Sequence, residues 1–473
     1  MDQMNNKKGF GFLGDSVRIA GGSVQIINKN IIKEKIHELA ELAALGKGTE
    51  KSLAQYIIRL TALEFGILPS SIHELYMARG REEVPFTFVV PAMNLRILPF
   101  HSARMIFRQA NHLDASAFIF EIARSEMGYT DQSPSEYSAE ILAAAIAEGF
   151  HGPVFIQGDH FQVSAKKYSE DKESEIRSLQ NLIVDAINAG FFNIDIDTST
   201  MVDLTKQDIN DQQKNNIFLT ELFCRYIRQH QPTGITISVG GEIGEVGGHN
   251  STEAELHAYL DGFNKRREME KPVISGLSKV SVQTGTSHGG VVLPDGSIAK
   301  VKVDFNTLKD LSRVARHHYG LGGTVQHGAS TLPEEAFDKF IGSEAIEIHL
   351  ATNFANIFFD MIPATLQGEM YRAIDAKFGG ERKSDLTDDQ FYYKMRKYVI
   401  GEFKQQIWDL EEDVIERLQI AWEDKFLRLF HSLGVKGTRE WTSKYIHPLV
   451  VQPHMKGPSS TSSGGTEAGQ LAD

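Results

Sequence analysis

From Val84 onward, short runs rich in β-branched and aromatic residues alternate with longer stretches in which apolar side chains recur every three or four positions. The short runs predict strands at Phe86–Val90, Ala117–Ile122, Val154–Gln157, Asn193–Ile196, Thr236–Val239, Lys279–Gln283, Gly323–Gln326 and Ala345–Leu350. The longer stretches predict helices at Ser102–Asn111, Ser135–Glu148, Ser174–Ala189, Asn216–Arg228, Thr252–Phe263, Asn306–His318 and Pro333–Ile341. Many open on Ser, Thr, Asn or Pro, residues suited to the first turn of a helix. Eight strands alternating with helices predict an α/β fold, a (β/α)8 TIM barrel over residues 84–360.

The flanks carry a different pattern. Ile31–Leu45 and Ser52–Leu63 place apolar residues on one helical face, so residues 1–83 are expected to form an N-terminal helical extension. Residues 361–455 are expected to be helical too, with one long amphipathic helix over Asp389–Leu418 that includes Trp408 and Leu410. A closed barrel leaves no sheet edge to cover, so such an appendage is expected to meet a second subunit and make the protein a homo-oligomer. Residues 456–473, rich in Gly, Ser and Thr, read as a disordered tail.

Composition narrows the choice of partner. The 473 residues are 41% hydrophobic and 23% charged, with a net charge of −13 and a pI near 5.7. That balance argues against nucleic acid or an anionic membrane, and any bound phosphate must be held by local dipoles rather than a basic field. The single cysteine, Cys224, excludes an internal disulfide and suggests a reducing compartment. No stretch of 18 apolar residues or signal-peptide pattern occurs, so a cytoplasmic location is expected.

Within this frame the chemistry-bearing residues fall just after strands. Asp159 and His160 follow the third, Asp197 and Ser199 the fourth, Glu242 the fifth, His288 the sixth and His327 the seventh. In a barrel all these positions lie at one mouth. Three histidines from separate strands suit a catalytic zinc, which takes three protein ligands and leaves a position open. One histidine after a strand is by itself an ordinary loop residue, and His151, His249 and His257 read that way; joint placement separates His160, His288 and His327 from them. Gly285-Thr-Ser-His-Gly-Gly290 and His327-Gly-Ala-Ser330 set small residues beside candidate ligands, where backbone N–H groups can approach a phosphate. Neither matches a P-loop or a dinucleotide fingerprint.

These motifs resemble, in order, those of the class II, zinc-dependent fructose-bisphosphate and tagatose-bisphosphate aldolases. The resemblance rests on Val90-Pro-Ala-Met-Asn-Leu95, Gln157-Gly-Asp-His160, Ile194-Asp-Ile-Asp-Thr-Ser199, Gly241-Glu-Ile-Gly244, Gly285-Thr-Ser-His-Gly289, Val325-Gln-His-Gly-Ala-Ser330 and Ile348-His-Leu-Ala-Thr352. It covers roughly Val84 to Asp360. It implies a lyase that makes or breaks a C–C bond in a ketose bisphosphate or related sugar through a zinc-stabilised enediolate. His160, His288 and His327 would ligate Zn2+, with Glu242 as an alternative metal position, and Asp159 would exchange the proton of the C4 hydroxyl. Gly289, Gly328, Ser330 and Thr352 would cradle a phosphate and Asn94 would face the sugar; Asp197, Ser199, His249 and His349 would stand around them. Whether a monovalent cation such as K+ or Na+ sits near the phosphate stays open.

The departures fall on substrate contacts rather than on ligands. His249 stands near where the family has a mobile Glu, Ala123 replaces a Ser, Ala329 a Gly, and His349 and Ala351 an Asn and an Asp. That pattern suggests a changed substrate, and a sugar epimerase working by retro-aldol chemistry is an alternative. Phe120-Glu-Ile-Ala-Arg-Ser-Glu-Met-Gly-Tyr-Thr-Asp-Gln-Ser-Pro134 also resembles the non-catalytic accessory subunit of tagatose-bisphosphate aldolase, so a non-catalytic stabilising subunit is a further alternative, although that subunit lacks the full set of histidines.

Overall fold

The computed structural model describes residues 10–20, 23–244, 249–285, 303–383 and 385–455. A hairpin of β1 (Val17–Ala20) and β2 (Ser23–Ile26) comes first, then two antiparallel-packed helices, Ile36–Leu45 and Gly48–Glu64. Next come β3 (Ile67–Pro69), β4 (Val90–Asn94), β5 (Ile119–Ala123), β6 (Gly152–Gln162), β7 (Asn193–Asp197), β8 (Ser238–Glu242), β9 (Lys279–Val282), β10 (Thr324–Gln326) and β11 (Glu347–Leu350). Strands β4 to β11 pair in parallel, and β11 on β4 and β6 on β7 complete the ring. This is the expected (β/α)8 barrel. Among the described residues no helix is long and apolar enough to cross a membrane.

Several expectations need correction. The N-terminal region is not wholly helical: it holds the β1–β2 hairpin, and β3 adds in parallel to the start of β6. The helix expected at Ile31–Leu45 breaks at Lys35 into Lys29–Glu34 and Ile36–Leu45. The first barrel strand begins where the predicted one ends, at Val90; Pro91 reads as a terminator because it has no N–H, yet the ladder runs through it in register with Ile348. Pro333–Ile341 is a 3-10 turn, Glu334–Ala336, and a one-turn helix, Lys339–Gly342.

The long helix over Asp389–Leu418 does not exist either. Its span is divided into Asp388–Met395, a 3-10 turn at Arg396–Val399, Lys404–Trp408, and the start of Glu412–Ser432. The break at Gly401 is set by tertiary contact. Its N–H donates to the Tyr129 carbonyl at 2.9 Å, and a Cβ there would come within 2.8 Å of the same oxygen. The pieces still turn their apolar residues toward one core, which is why periodicity read them as continuous.

The C-terminal helices pack on this chain's own barrel. Glu412–Ser432 lies along the barrel helix Pro99–Leu113, with the fully buried Trp422 donating its indole N–H to Phe354 O at 3.1 Å. Thr438 Oγ1 accepts the N–H groups of Ser116 and Ala117, each at 3.1 Å.

What positions the site is the layering inside the barrel. Side chains on one strand face recur every second residue, so successive inward residues form levels. Toward the N-terminal ends of their strands, Ile119 and Phe155 are apolar and cluster with Tyr76 of the helix His73–Gly80. Two residues on, Glu121, Gln157, Asp195, Lys279 and Glu347 make an ionic level. Two residues further, toward the strands' C-terminal ends, lie Asp159, Asp197, Glu242, Ser281, His327 and His349.

Candidate metal centre at the barrel mouth

The site begins with an irregularity in β6. Its register with β7 shifts between Gly158 and Phe161, placing Asp159 and His160 on a bulge. The bulge needs glycine, because a Cβ on residue 158 would lie 2.3 Å from the Phe161 ring. His160 takes a left-handed φ of 39°, a conformation retained where surrounding contacts dictate it. Asp159 and His160 are therefore inside an extended strand, and Asp197 and Glu242 end theirs, rather than following them.

From this bulge His160 meets His327, with Nε2 and Nδ1 respectively 2.8 Å apart. The other nitrogen of each ring is already engaged: His160 Nδ1 lies 3.1 Å from Asp197 Oδ2, and His327 Nε2 lies 2.9 Å from Ser281 Oγ. Asp197 is fixed in turn, accepting from Gln162 at 2.6 Å and from the Ser199 N–H and hydroxyl at 3.0 and 2.6 Å. Glu242 Oε2 stands 3.5 Å from His160 Nδ1. The ligand atoms of His160, Glu242 and His327 all lie within 4.8 Å of one another, as do those of Asp159, His327 and His349.

Two imidazoles whose remote nitrogens are anchored, plus a carboxylate, fit a divalent ion: the outer partners fix each ring's orientation. His288 and Gly289 lie outside the described residues. Electrostatics agree with a cation-seeking site. Burial opposes charge on His160, but Asp159, Asp197 and Glu242 carry its pKa well above the ordinary imidazole value. Burial likewise works against ionised Asp197, and the bonds from His160, Ser199 and Gln162 nonetheless hold its pKa below the usual range.

The remaining predicted residues divide. Gly328, at φ 69°, turns the chain from His327 into the 3-10 turn Ala329–Thr331. The Ser330 hydroxyl accepts the Ala351 N–H at 2.5 Å, immediately before Thr352 opens the helix Thr352–Met361. Ser330 and a helix N-terminus thus converge, an arrangement suited to an anion. Asn94 is buried, and its amide donates to Glu126 at 2.6 Å while its oxygen faces Arg96 Nε at 3.4 Å. His249 does not join the site; it is exposed, with Nδ1 3.0 Å from Asn250 O. Ala123 gives its N–H to Glu126, and Ala329 is fully buried.

Sequence reasoning missed the ionic level beneath the site. Lys279 Nζ contacts Gln157 Oε1 at 2.8 Å, Asp195 Oδ2 at 2.9 Å and Glu347 Oε1 at 2.5 Å, and Tyr76 donates its hydroxyl to the second Glu347 oxygen. Burial alone would raise the Glu347 pKa, but Lys279 and His349 bring it down to about 2. Asp195, where burial outweighs Lys279, is pushed up to about 6. The available signal was alternation: Glu121, Asp195, Lys279 and Glu347 are charged residues inside otherwise apolar strands, two positions before Ala123, Asp197, Ser281 and His349.

A family model described as fructose-bisphosphate aldolase class-II matches residues 86–421. A search of curated proteins returns no match. Among solved structures, one described as a probable tagatose 6 phosphate kinase from Sinorhizobium meliloti 1021 is 14% identical, covering 73% of this chain and 100% of its own, with a TM-score of 0.52. A putative fructose-1,6-biphosphate aldolase from Coccidioides immitis is 16% identical, covering 77% and 96%, with a TM-score of 0.44. The YdjI aldolase from Escherichia coli K12 is 13% identical, covering 78% and 99%, with a TM-score of 0.46. The first of these three, at 14% identity, speaks to fold and not to substrate.

Proposed function

The chain belongs to the fructose-bisphosphate aldolase class-II family, and from that premise we propose that it is a divalent-metal lyase acting on a phosphorylated ketose. The observation that carries the reading is the pair His160 and His327, 2.8 Å apart with their far nitrogens anchored, beside Glu242. These residues, with His288, would hold the ion, and zinc is the natural occupant of an imidazole-rich site that keeps a position open. Bound there, such an ion supplies Lewis-acid polarisation of a substrate carbonyl.

The chain's own residues account for the rest. Asp159, adjacent to the ligand His160, is placed to take or return the hydroxyl proton next to the breaking C–C bond. Ser330, Gly328 and the N–H groups opening Thr352–Met361 would bind the phosphate, with Gly289 joining them, without calling on a basic side chain. Asn94, held by Glu126 and Arg96, would orient the sugar. We assign the protein to carbohydrate metabolism in the cytoplasm.

The test joins metal content with product identity. Purified protein is expected to hold about one divalent ion per chain by elemental analysis, and to release a triose phosphate from fructose or tagatose 1,6-bisphosphate. His327→Ala and His288→Ala should each lose the ion and the activity. Protein without stoichiometric metal whose His327→Ala form is fully active would sink the proposal; an inverted stereocentre without fragments would replace the lyase by an epimerase.

A further inference from the structure

His349 stands where the metal cluster meets the ionic level. Its side chain is 5% exposed, and its ring centroid lies 4.1 Å from that of His327. Nδ1 is 3.1 Å from Asp159 Oδ1 and 3.2 Å from Glu121 Oε2. Nε2 is 2.6 Å from Glu347 Oε1 and 3.6 Å from Asp195 Oδ2. Each nitrogen thus lies within hydrogen-bond reach of carboxylate oxygen.

The anchor on the Nε2 side is rigid. Glu347 is the next inward residue of the same strand, and Lys279 at 2.5 Å and the Tyr76 hydroxyl fix its two oxygens. The side on Nδ1 is different. Asp159 rides on the β6 bulge, where the ladder to β7 is interrupted between Gly158 and Phe161. Strand β11 is three places from β6 in the ring, so His349 reaches Asp159 across the barrel rather than along a shared ladder.

We propose that His349 is the positioning residue of Asp159: one ring nitrogen bonds the Asp159 carboxyl group while the other is tied to Glu347 and, through it, to Lys279 and Tyr76. The proposal rests on the reading of Asp159 as the proton-transfer group. It gives a role to a histidine that stands where the resembling family has an asparagine. An asparagine is too short to bridge Glu347 and Asp159, and phenylalanine would keep the packing on His327 while removing both hydrogen-bonding nitrogens.

The experiment compares four full-length proteins: wild type, His349→Phe, Asp159→Asn and the double variant. Each is assayed for bound metal by elemental analysis, for fold by circular dichroism, and for kcat and KM with fructose 1,6-bisphosphate as the probe. His349→Phe is expected to keep its metal and a KM within about twofold of wild type, and to lose kcat by about 10- to 100-fold. The double variant should be no slower than Asp159→Asn, because the two residues act as a unit. An unchanged kcat in His349→Phe overturns the proposal. So does a loss that multiplies onto that of Asp159→Asn, or one that tracks lost metal and returns when metal is added. Full activity in Asp159→Asn removes the premise instead, and is read from that single variant alone. Should His349→Phe not fold, His349→Gln carries the same comparison, since its single amide nitrogen cannot bridge both carboxyl groups.

Discussion

Replacing Lys279 by Met tests whether the ionic level supports the site from below. Lys279 is 1% exposed and its partners Glu347 and Asp195 are 0% and 7% exposed. At an effective dielectric of about 20, two unit charges about 3 Å apart attract by roughly 5 kcal/mol, offset by desolvation of both ions. Methionine keeps the length of the side chain but strands two buried carboxylates, for which the loss is about 3–5 kcal/mol. With an unfolding entropy of about 2.1 cal/mol/K per residue, a cooperatively unfolding chain of this size would drop in Tm by about 3–5 °C.

The pH dependence supplies the sharper signature. In the wild type the Glu347 pKa is depressed to about 2, so its stabilising contribution is present above the ordinary carboxylate range and is lost as pH falls through that value. Without Lys279 both carboxylates prefer to bind a proton when folded, which makes the cost largest at high pH and relieves it as pH falls. The assay is differential scanning calorimetry or urea unfolding of both proteins between pH 8 and pH 5. The gap should narrow toward pH 5, and Glu347→Gln added to Lys279→Met should recover part of the loss. A gap below about 1 kcal/mol, or one independent of pH, would refute the buried ion-pair account.

Other outcomes follow from local packing. Gly158→Ala pushes a methyl group into the Phe161 ring; it should displace Asp159 and His160 and lower metal content, read by elemental analysis. Trp422→Ala empties a fully buried site and removes the bond to Phe354 O, and should cost about 3–5 kcal/mol in urea unfolding. Burial, with His37 and Arg104 nearby, depresses the His101 pKa to about 3. The unfolded chain therefore binds the extra proton first: stability is full above about pH 7 and falls by about 2 kcal/mol by pH 5 at this residue. His101→Leu should flatten that acid limb of the stability profile, and an unchanged limb would count against a buried neutral His101.

The resemblance to a metal-dependent family was legible because a parallel barrel writes its chemistry at fixed places. Each strand is short, buried and β-branched, and its functional residue comes at or near the end, so Asp159, His160, Asp197, Glu242 and His327 could be read in order without knowing their distances. Strand ends were less legible, since hydrogen bonding rather than hydropathy decides where pairing stops; Asp159 and His160 lie within β6 for that reason. The break at Gly401 was invisible because it answers to Tyr129, far away in sequence.

The sequence by itself determined the alternation of strands and helices, the fold that follows from it, and which residues could serve as ligands. Only the tertiary structure decided how they are held. It turned His160 toward His327 through a bulge at Gly158, set Ser281 and Asp197 behind the two rings, and left His249 outside. It also stacked Lys279 and Glu347 one level below, with His349 bridging up to Asp159. Periodicity reports which side of a strand a residue faces; which residues then meet depends on the stagger of eight strands around a closed ring.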